Sequence, residues 1–371
     1  MSLERRRPDD DSKRFIEELK QRERQEKGKR IARPEKKIQR ADFQPSARSF
    51  IEELKERERL KKSKAEQPIP EPTRRDFLKS AAAYSFAIAA GLTGAEILRR
   101  YGVLERLVGT DEDVDQFDYD EVVRQGKAYL KELYGANLVV GDSKDHPTIT
   151  GDRMTLDHYK QSIRAIIREA GRYPPEFIRD LGADLGFEFR VMHNVQVYEF
   201  GYGRERVGGV ALYPHTDQPR QVIIDSEEPF EDQRRIIHHE VNHAAAFRWQ
   251  NLGERDGTWK NLHSGVSVDP YIGRAWRSYA YSAPRYYLSP YGMKSAAEDQ
   301  ATCAEHLLTP LLHLEFIRRI REEPDAAVRA VLVRKYAEAK REYFEWSDGR
   351  MDEAYWEEII RAGLRERDGV S

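Results

Sequence analysis

The chain has one cysteine, Cys303, in 371 residues, so an internal disulfide is excluded. It also lacks a charge imbalance. Its 63 Lys and Arg face 65 Asp and Glu, and the net charge of −2 gives no electrostatic footprint for nucleic acid and none for a strongly charged partner. Long apolar runs are scarce as well: the 18 residues Ala81 to Leu98 barely reach membrane-spanning length, with Glu96 near one end. Residues 1–72 have few aromatics, many charge runs and a proline-rich end, "EQPIPEPT". Such a composition cannot bury enough apolar surface to form a core, so a disordered, charged tail is expected there.

What the tail does have is a duplication. "RFIEELKQRER" at 14–24 returns as "SFIEELKERER" at 49–59. On a short helix Phe15, Ile16 and Leu19, and again Phe50, Ile51 and Leu54, form a small apolar stripe on a charged cylinder. That pattern suits a transient partner-binding helix or a bare duplication; a cytoplasmic partner of the repeats is the functional reading.

Residues 73–101 follow with "TRRDFLK" and then an Ala/Gly-rich apolar stretch. The paired Arg74 and Arg75, the Phe-Leu-Lys step and the apolar run together match a twin-arginine export signal, read by its export machinery. Ala87-Ile88-Ala89 offers a small-residue cleavage site; uncleaved, residues 81–98 would be a single anchor with the tail in the cytoplasm. Either way residues 102–371 are expected outside the cytoplasm, in the periplasm or at the cell surface.

Within that third segment, "RRIIHHEVNHAAAFRWQN" at 234–251 holds three of the ten histidines. The run Phe230 to Trp249 has no Gly or Pro, and Glu228, Glu231 and Asp232 favour the positive end of a helix dipole. On this helix His239 and His243 lie one turn apart on one face, so both imidazoles reach one ion. Glu240 projects beside them, placed to act on water at the metal. This is the H-E-x-x-H pattern of zinc peptidases. Chance gives it about 0.03 times in a chain of this composition, and burying these groups without an ion is costly. The Ala244–Ala246 run lets another element come close, and His238, rotated about 100° from His239, is expected to pack or bond elsewhere.

A catalytic zinc takes a third protein ligand. No second histidine motif follows at once; the chain reads "AAAFRWQNLG". A helix from Ala296 to about Leu308, capped by Ser295, carries Glu298, Asp299, Glu305 and His306, and His263 lies in the loop before it. All five are candidates. Glu298 has a competing role as the acidic half of a capping box, Ser295-x-x-Glu298.

"HHEVNH", the following Trp259, Asn261 and Leu262, and "SPYGMKSAAEDQA" together resemble a little-characterised bacterial and archaeal family of zinc metallopeptidases of the gluzincin type. The resemblance covers roughly residues 174–308 and rests on the combination of motifs. It implies that Glu298, in Glu298-Asp299-Gln300-Ala301, is the third zinc ligand. It implies too that Tyr291, seven residues earlier, matches the transition-state-stabilising tyrosine of the anthrax lethal factor peptidase. Many relatives have a second glutamate where Thr302 stands here.

The remaining pattern is helical near 119–134, 155–170, 175–183, 311–322, 325–346 and 351–366, with strands near 187–200, 206–213 and 220–225. Gly208 and Gly209 suit a bulge or the close approach of a peptide substrate to an edge strand. Segregated strands and helices give an α+β class with a mostly helical C-terminal part, a zincin-like order with the sheet before the metal helix. The expected activity is zinc-dependent hydrolysis of a peptide or protein substrate. Zn²⁺ would sit on His239, His243 and Glu298, with Glu240 as general base and Tyr291 as oxyanion donor. The alternative is a membrane-tethered binding or scaffold protein with a structural or degenerate zinc domain, closed by a fourth ligand such as His263 or His306.

Overall fold

The computed structural model describes residues 119–141, 149–152, 156–199, 203–212, 219–250, 252–267, 269–279 and 283–369. The tail and the expected signal segment, with the residues up to 118, lie outside the described residues. Among those described, no helix is long and apolar enough to cross a membrane.

The architecture is mixed α+β and mostly helical. Helix α1 (Tyr119–Tyr134) leads into β1 (Asn137–Val140) and β2 (Ile149–Asp152). Helices α2 (Leu156–Ala170) and α3 (Pro175–Leu181) follow, then β3 (Phe187–Glu199), β4 (Gly203–Arg206), β5 (Gly209–Leu212) and β6 (Arg220–Asp225). The rest of the described chain is helical. It comprises α4 (Phe230–Trp249), α5 (Leu252–Leu262), short 3-10 turns at Gly273–Tyr279 and Pro290–Met293, α6 (Ala296–Leu308), α7 (Pro310–Glu322), α8 (Ala326–Trp346) and α9 (Glu353–Arg367).

Strand β3 organises the sheet. Its first half lies between β1 and β6, parallel to both, and β5 closes the edge antiparallel to β6. Phe187, Phe189 and Val191 point one way into the core, while Glu188 and Arg190 on the other face pair with each other at 2.8 Å and are also buried. A strand covered on both faces needs such pairing for its charges. The strand turns at Asn194, whose φ is 51°, and its second half carries β2 and β4 on either side. Asp225, fully buried, secures the turn by accepting from the amides of Asn194 (2.9 Å) and Val195 (3.0 Å). His193 and Glu227 lie near it, but Arg206 reaches both Asp225 (3.3 Å) and Glu227 (2.9 Å), so the acids of this cluster already face a cation.

The single strand expected at 206–213 is two strands. The chain leaves β3 as β4 ends at Arg206 and joins β6 as β5 begins at Gly209. The glycines sit at that change of partner for a packing reason. A Cβ on Gly209 would fall 2.5 Å from Ile236 Cγ2 and 3.1 Å from Glu240 Cγ. The missing side chain lets β5 lie directly on α4. The described chain also has β1, β2 and α5, which the sequence pattern leaves unassigned. Strands β1 and β2 precede α2, so strands and helices are less segregated than expected.

Helix α4 packs against β5 and β6 and against α6; helices α5, α7 and α8 in turn surround α6. Buried small residues on both central helices, Ala244–Ala246 and Ala301 with Ala304, let the backbones approach. Side chains from α4 and from the first turn of α6 therefore meet beside the sheet edge. Cys303 is fully buried on α6, as a packing residue.

Candidate metal centre

Pro229 sits at the N-cap of α4, followed by Glu231 and Asp232 in the first turn, and the helix runs twenty residues unbroken. Ile237, Val241, Ala244 and Ala245 are buried, and this fixes the rotation of the helix. His239, Glu240 and His243 then face α6 and the β5 edge. His238 turns away as expected: its Nδ1 meets the Tyr173 hydroxyl at 2.9 Å and its Nε2 the buried Glu169 at 3.0 Å.

Three acceptor atoms converge. His239 Nε2 is 3.0 Å and His243 Nε2 is 3.2 Å from Glu298 Oε2, and the two nitrogens are 3.1 Å apart. Ligands about 2.0–2.1 Å from a tetrahedral zinc stand about 3.3 Å from one another. Two neutral imidazole nitrogens at this separation cannot both be satisfied without a proton or a cation between them. Nitrogen, nitrogen and carboxylate oxygen is also the donor set of a hydrolytic zinc site. The residues fit the ion.

The surroundings hold these atoms in place. Glu305 Oε1 lies 2.5 Å from His239 Nδ1, so Nδ1 donates and Nε2 keeps its lone pair for the metal. Glu298 is anchored from its other oxygen. Tyr291 donates to Oε1 at 3.1 Å, and Lys294 Nζ donates to the same oxygen at 2.9 Å and to the tyrosine oxygen at 3.0 Å. Ser295 does cap α6, accepting from the Glu298 amide at 3.3 Å, while the Glu298 side chain goes to the histidines.

Burial pushes the Glu298 carboxyl up, yet the two imidazoles beside it outweigh that and hold the group well below the carboxylate range. Glu240 differs. Burial raises it, and the nearby histidines only partly offset that, so it is the more basic carboxylate of the two. The Ala211 amide of edge strand β5 bonds to it. Burial and the charge of Glu298 push the Tyr291 hydroxyl up, which keeps it a proton donor. Its ring stands edge-on to Trp276 at 5.1 Å, and Arg277 next to that tryptophan pairs with Glu205 of β4.

The other candidate ligands go elsewhere. Asp299 is fully buried against Lys335 at 2.8 Å, with Tyr271 at 3.2 Å and His263 Nε2 at 3.5 Å. His306 donates from Nδ1 to the Thr302 carbonyl at 2.9 Å. Thr302 itself donates to the Glu298 carbonyl at 2.7 Å. Neither His263 nor His306 closes the site, and among the described residues the group has three members. Sequence reasoning missed Lys294, Trp276 and the orienting part played by Glu305. Lys294 precedes Glu298 by one helical turn, a spacing that could have flagged it.

No family model matches the chain, and no curated protein matches it. Among solved structures, the chain is similar to one from Bacteroides caccae, named as a candidate zinc-binding metallo-peptidase, at 13% identity and a TM-score of 0.41. The match covers 70% of this chain and 96% of that one.

Proposed function

We propose that the domain is a zinc-dependent peptidase with His239, His243 and Glu298 as ligands. The observation that carries this reading is the meeting of three acceptor atoms within 3.2 Å, next to a buried glutamate that is not one of them. Zinc bound there supplies Lewis acidity that acidifies water and polarises a carbonyl. Glu240, more basic than an ordinary carboxylate, takes the proton of the attacking water and passes it to the leaving amine. Tyr291, whose hydroxyl donates to Glu298 in the absence of substrate, would stabilise the oxyanion that develops on the scissile carbonyl. Edge strand β5 lies along α4, which supports the zincin-like reading and gives an extended peptide a backbone to pair with. A closed structural zinc site has less support, since it has no need of a base at Glu240. The twin-arginine motif at Thr73–Lys79 supports an extracytoplasmic site of action, free or anchored.

The test separates base from ligand. Wild-type protein should bind about one Zn²⁺ per chain, and Glu240→Gln should keep the metal while losing hydrolysis of a peptide found by library screening. Elemental analysis finding no metal after zinc is added back would overturn the site. A Glu240→Gln variant that cleaves at the wild-type rate would overturn the mechanism.

A further inference from the structure

Lys294 has no part in the mechanism above, yet its ammonium bonds directly to a proposed metal ligand, Glu298. It touches three things at once: Glu298 Oε1 at 2.9 Å, the Tyr291 oxygen at 3.0 Å, and the face of the Tyr291 ring at 4.9 Å. Because the ammonium donates to the tyrosine oxygen, the tyrosine must point its own proton at Glu298 Oε1. Glu298 thus divides its oxygens. Oε2 faces the two histidines, and Oε1 faces two donors.

Resting on the peptidase reading, we propose that Lys294 is a positioning residue with two linked effects. It keeps Glu298 a one-oxygen ligand, which leaves coordination room for water and substrate. It also lets Tyr291 leave Glu298 for the oxyanion, since the ammonium stays on Oε1 when the hydroxyl departs. Without the lysine, Oε1 would be a buried acceptor with the tyrosine as its remaining donor in this group. Moving that hydroxyl would then strand a carboxylate lone pair, a costly step in a buried site. Lys294 is partly exposed, so its replacement perturbs no core.

Lys294→Met tests both effects, with Co²⁺ as the probe metal. Wild-type protein loaded with Co²⁺ should show the strong visible absorption of a four-coordinate site. In the variant, Glu298 closing through both oxygens should lower that absorption by about half, with the metal still bound. Turnover should fall by about tenfold with KM little changed, because the loss concerns the step in which Tyr291 moves. In wild type Tyr291→Phe should cost about 10² to 10³-fold, the usual cost of an oxyanion donor; in the Lys294→Met background it should cost tenfold less. Lys294→Arg, which keeps the charge, should restore most of the turnover. A folded, cobalt-loaded Lys294→Met protein with the wild-type spectrum and an undiminished Tyr291→Phe penalty would overturn the inference. Failure of the peptidase reading shows in the wild type, as no metal uptake or no cleavage.

Discussion

Glu342 shows how one buried residue can set a pH dependence away from the metal. It lies on α8 at 2% exposure, and among the described residues its carboxylate accepts from three neutral donors: Gln250 at 2.6 Å, Trp259 at 3.1 Å and Gln300 at 2.8 Å. Burial, only partly offset by those hydrogen bonds, pushes its pKa from 4.5 up to about 7. An acid whose pKa is raised on folding binds its proton more tightly in the native state. Its stabilising contribution is complete below pH 4.5 and is lost as pH rises through about 7. The full change is on the order of 3 kcal/mol. Glu342→Gln keeps the shape and removes the charge, so its gain in melting temperature over wild type should be larger at pH 8 than at pH 5. A constant difference between the two curves across that range would remove Glu342 as the source. The three donors come from the C-cap of α4, from α5 and from α6, so the effect reaches the helices that carry the site.

At the scale of elements, the contact between β5 and α4 is the tightest joint near the site. Gly209 leaves no space for a Cβ, with Ile236 Cγ2 at 2.5 Å and the Ile223 carbonyl at 3.1 Å from where it would stand. Gly209→Ala must lift the edge strand from the helix and carry the Ala211 amide away from Glu240. Stability measured by urea unfolding should drop by about 1–3 kcal/mol, and turnover should fall. Zinc should remain, because the ligands sit on α4 and α6; an unchanged unfolding midpoint would show that the joint is looser than drawn. This joint illustrates what the sequence could and could not disclose. Helices α4 and α6 were legible almost to the residue, since each has a clean local signal: an unbroken run after Pro229, and Ser295 capping Ala296–Leu308. The His239–His243 pairing followed from helical spacing alone. Glu298 needed the family resemblance, because five residues qualified on local grounds. The Glu305–His239 bond joins residues 66 apart and no local pattern encodes it. Helix α5 has no clear signal in the sequence, since Gly253 and Gly257 depress its propensity; the fully buried Trp259, donating to Glu342, supplies tertiary support instead. The glycine pair was read as a bulge or a peptide contact, and is explained by the packing of a strand on a helix.

The whole chain joins three segments of contrasting composition, and the proposed role of the middle one is to direct where the last one works. Residues 1–72 are charged, 73–101 carry the paired arginines and the apolar run, and the candidate metal centre lies within 102–371. If the middle segment is a receptor-read address, its effect must depend on the arginine pair itself and not on positive charge. Arg74→Lys with Arg75→Lys preserves the charge and should leave the C-terminal domain in the cytoplasm. The matched change Arg5→Lys with Arg6→Lys, in the tail, should leave export intact. Cell fractionation followed by immunodetection of the domain reads both variants, and the size of the detected band reports cleavage near Ala87–Ala89 or retention of the anchor. Zinc content and peptide cleavage by the retained protein should match wild type, since no residue of the site lies in the altered segment. Equal recovery of both variants outside the cytoplasm would show that the arginine pair is not the address, and would leave the assignment of the metal site untouched.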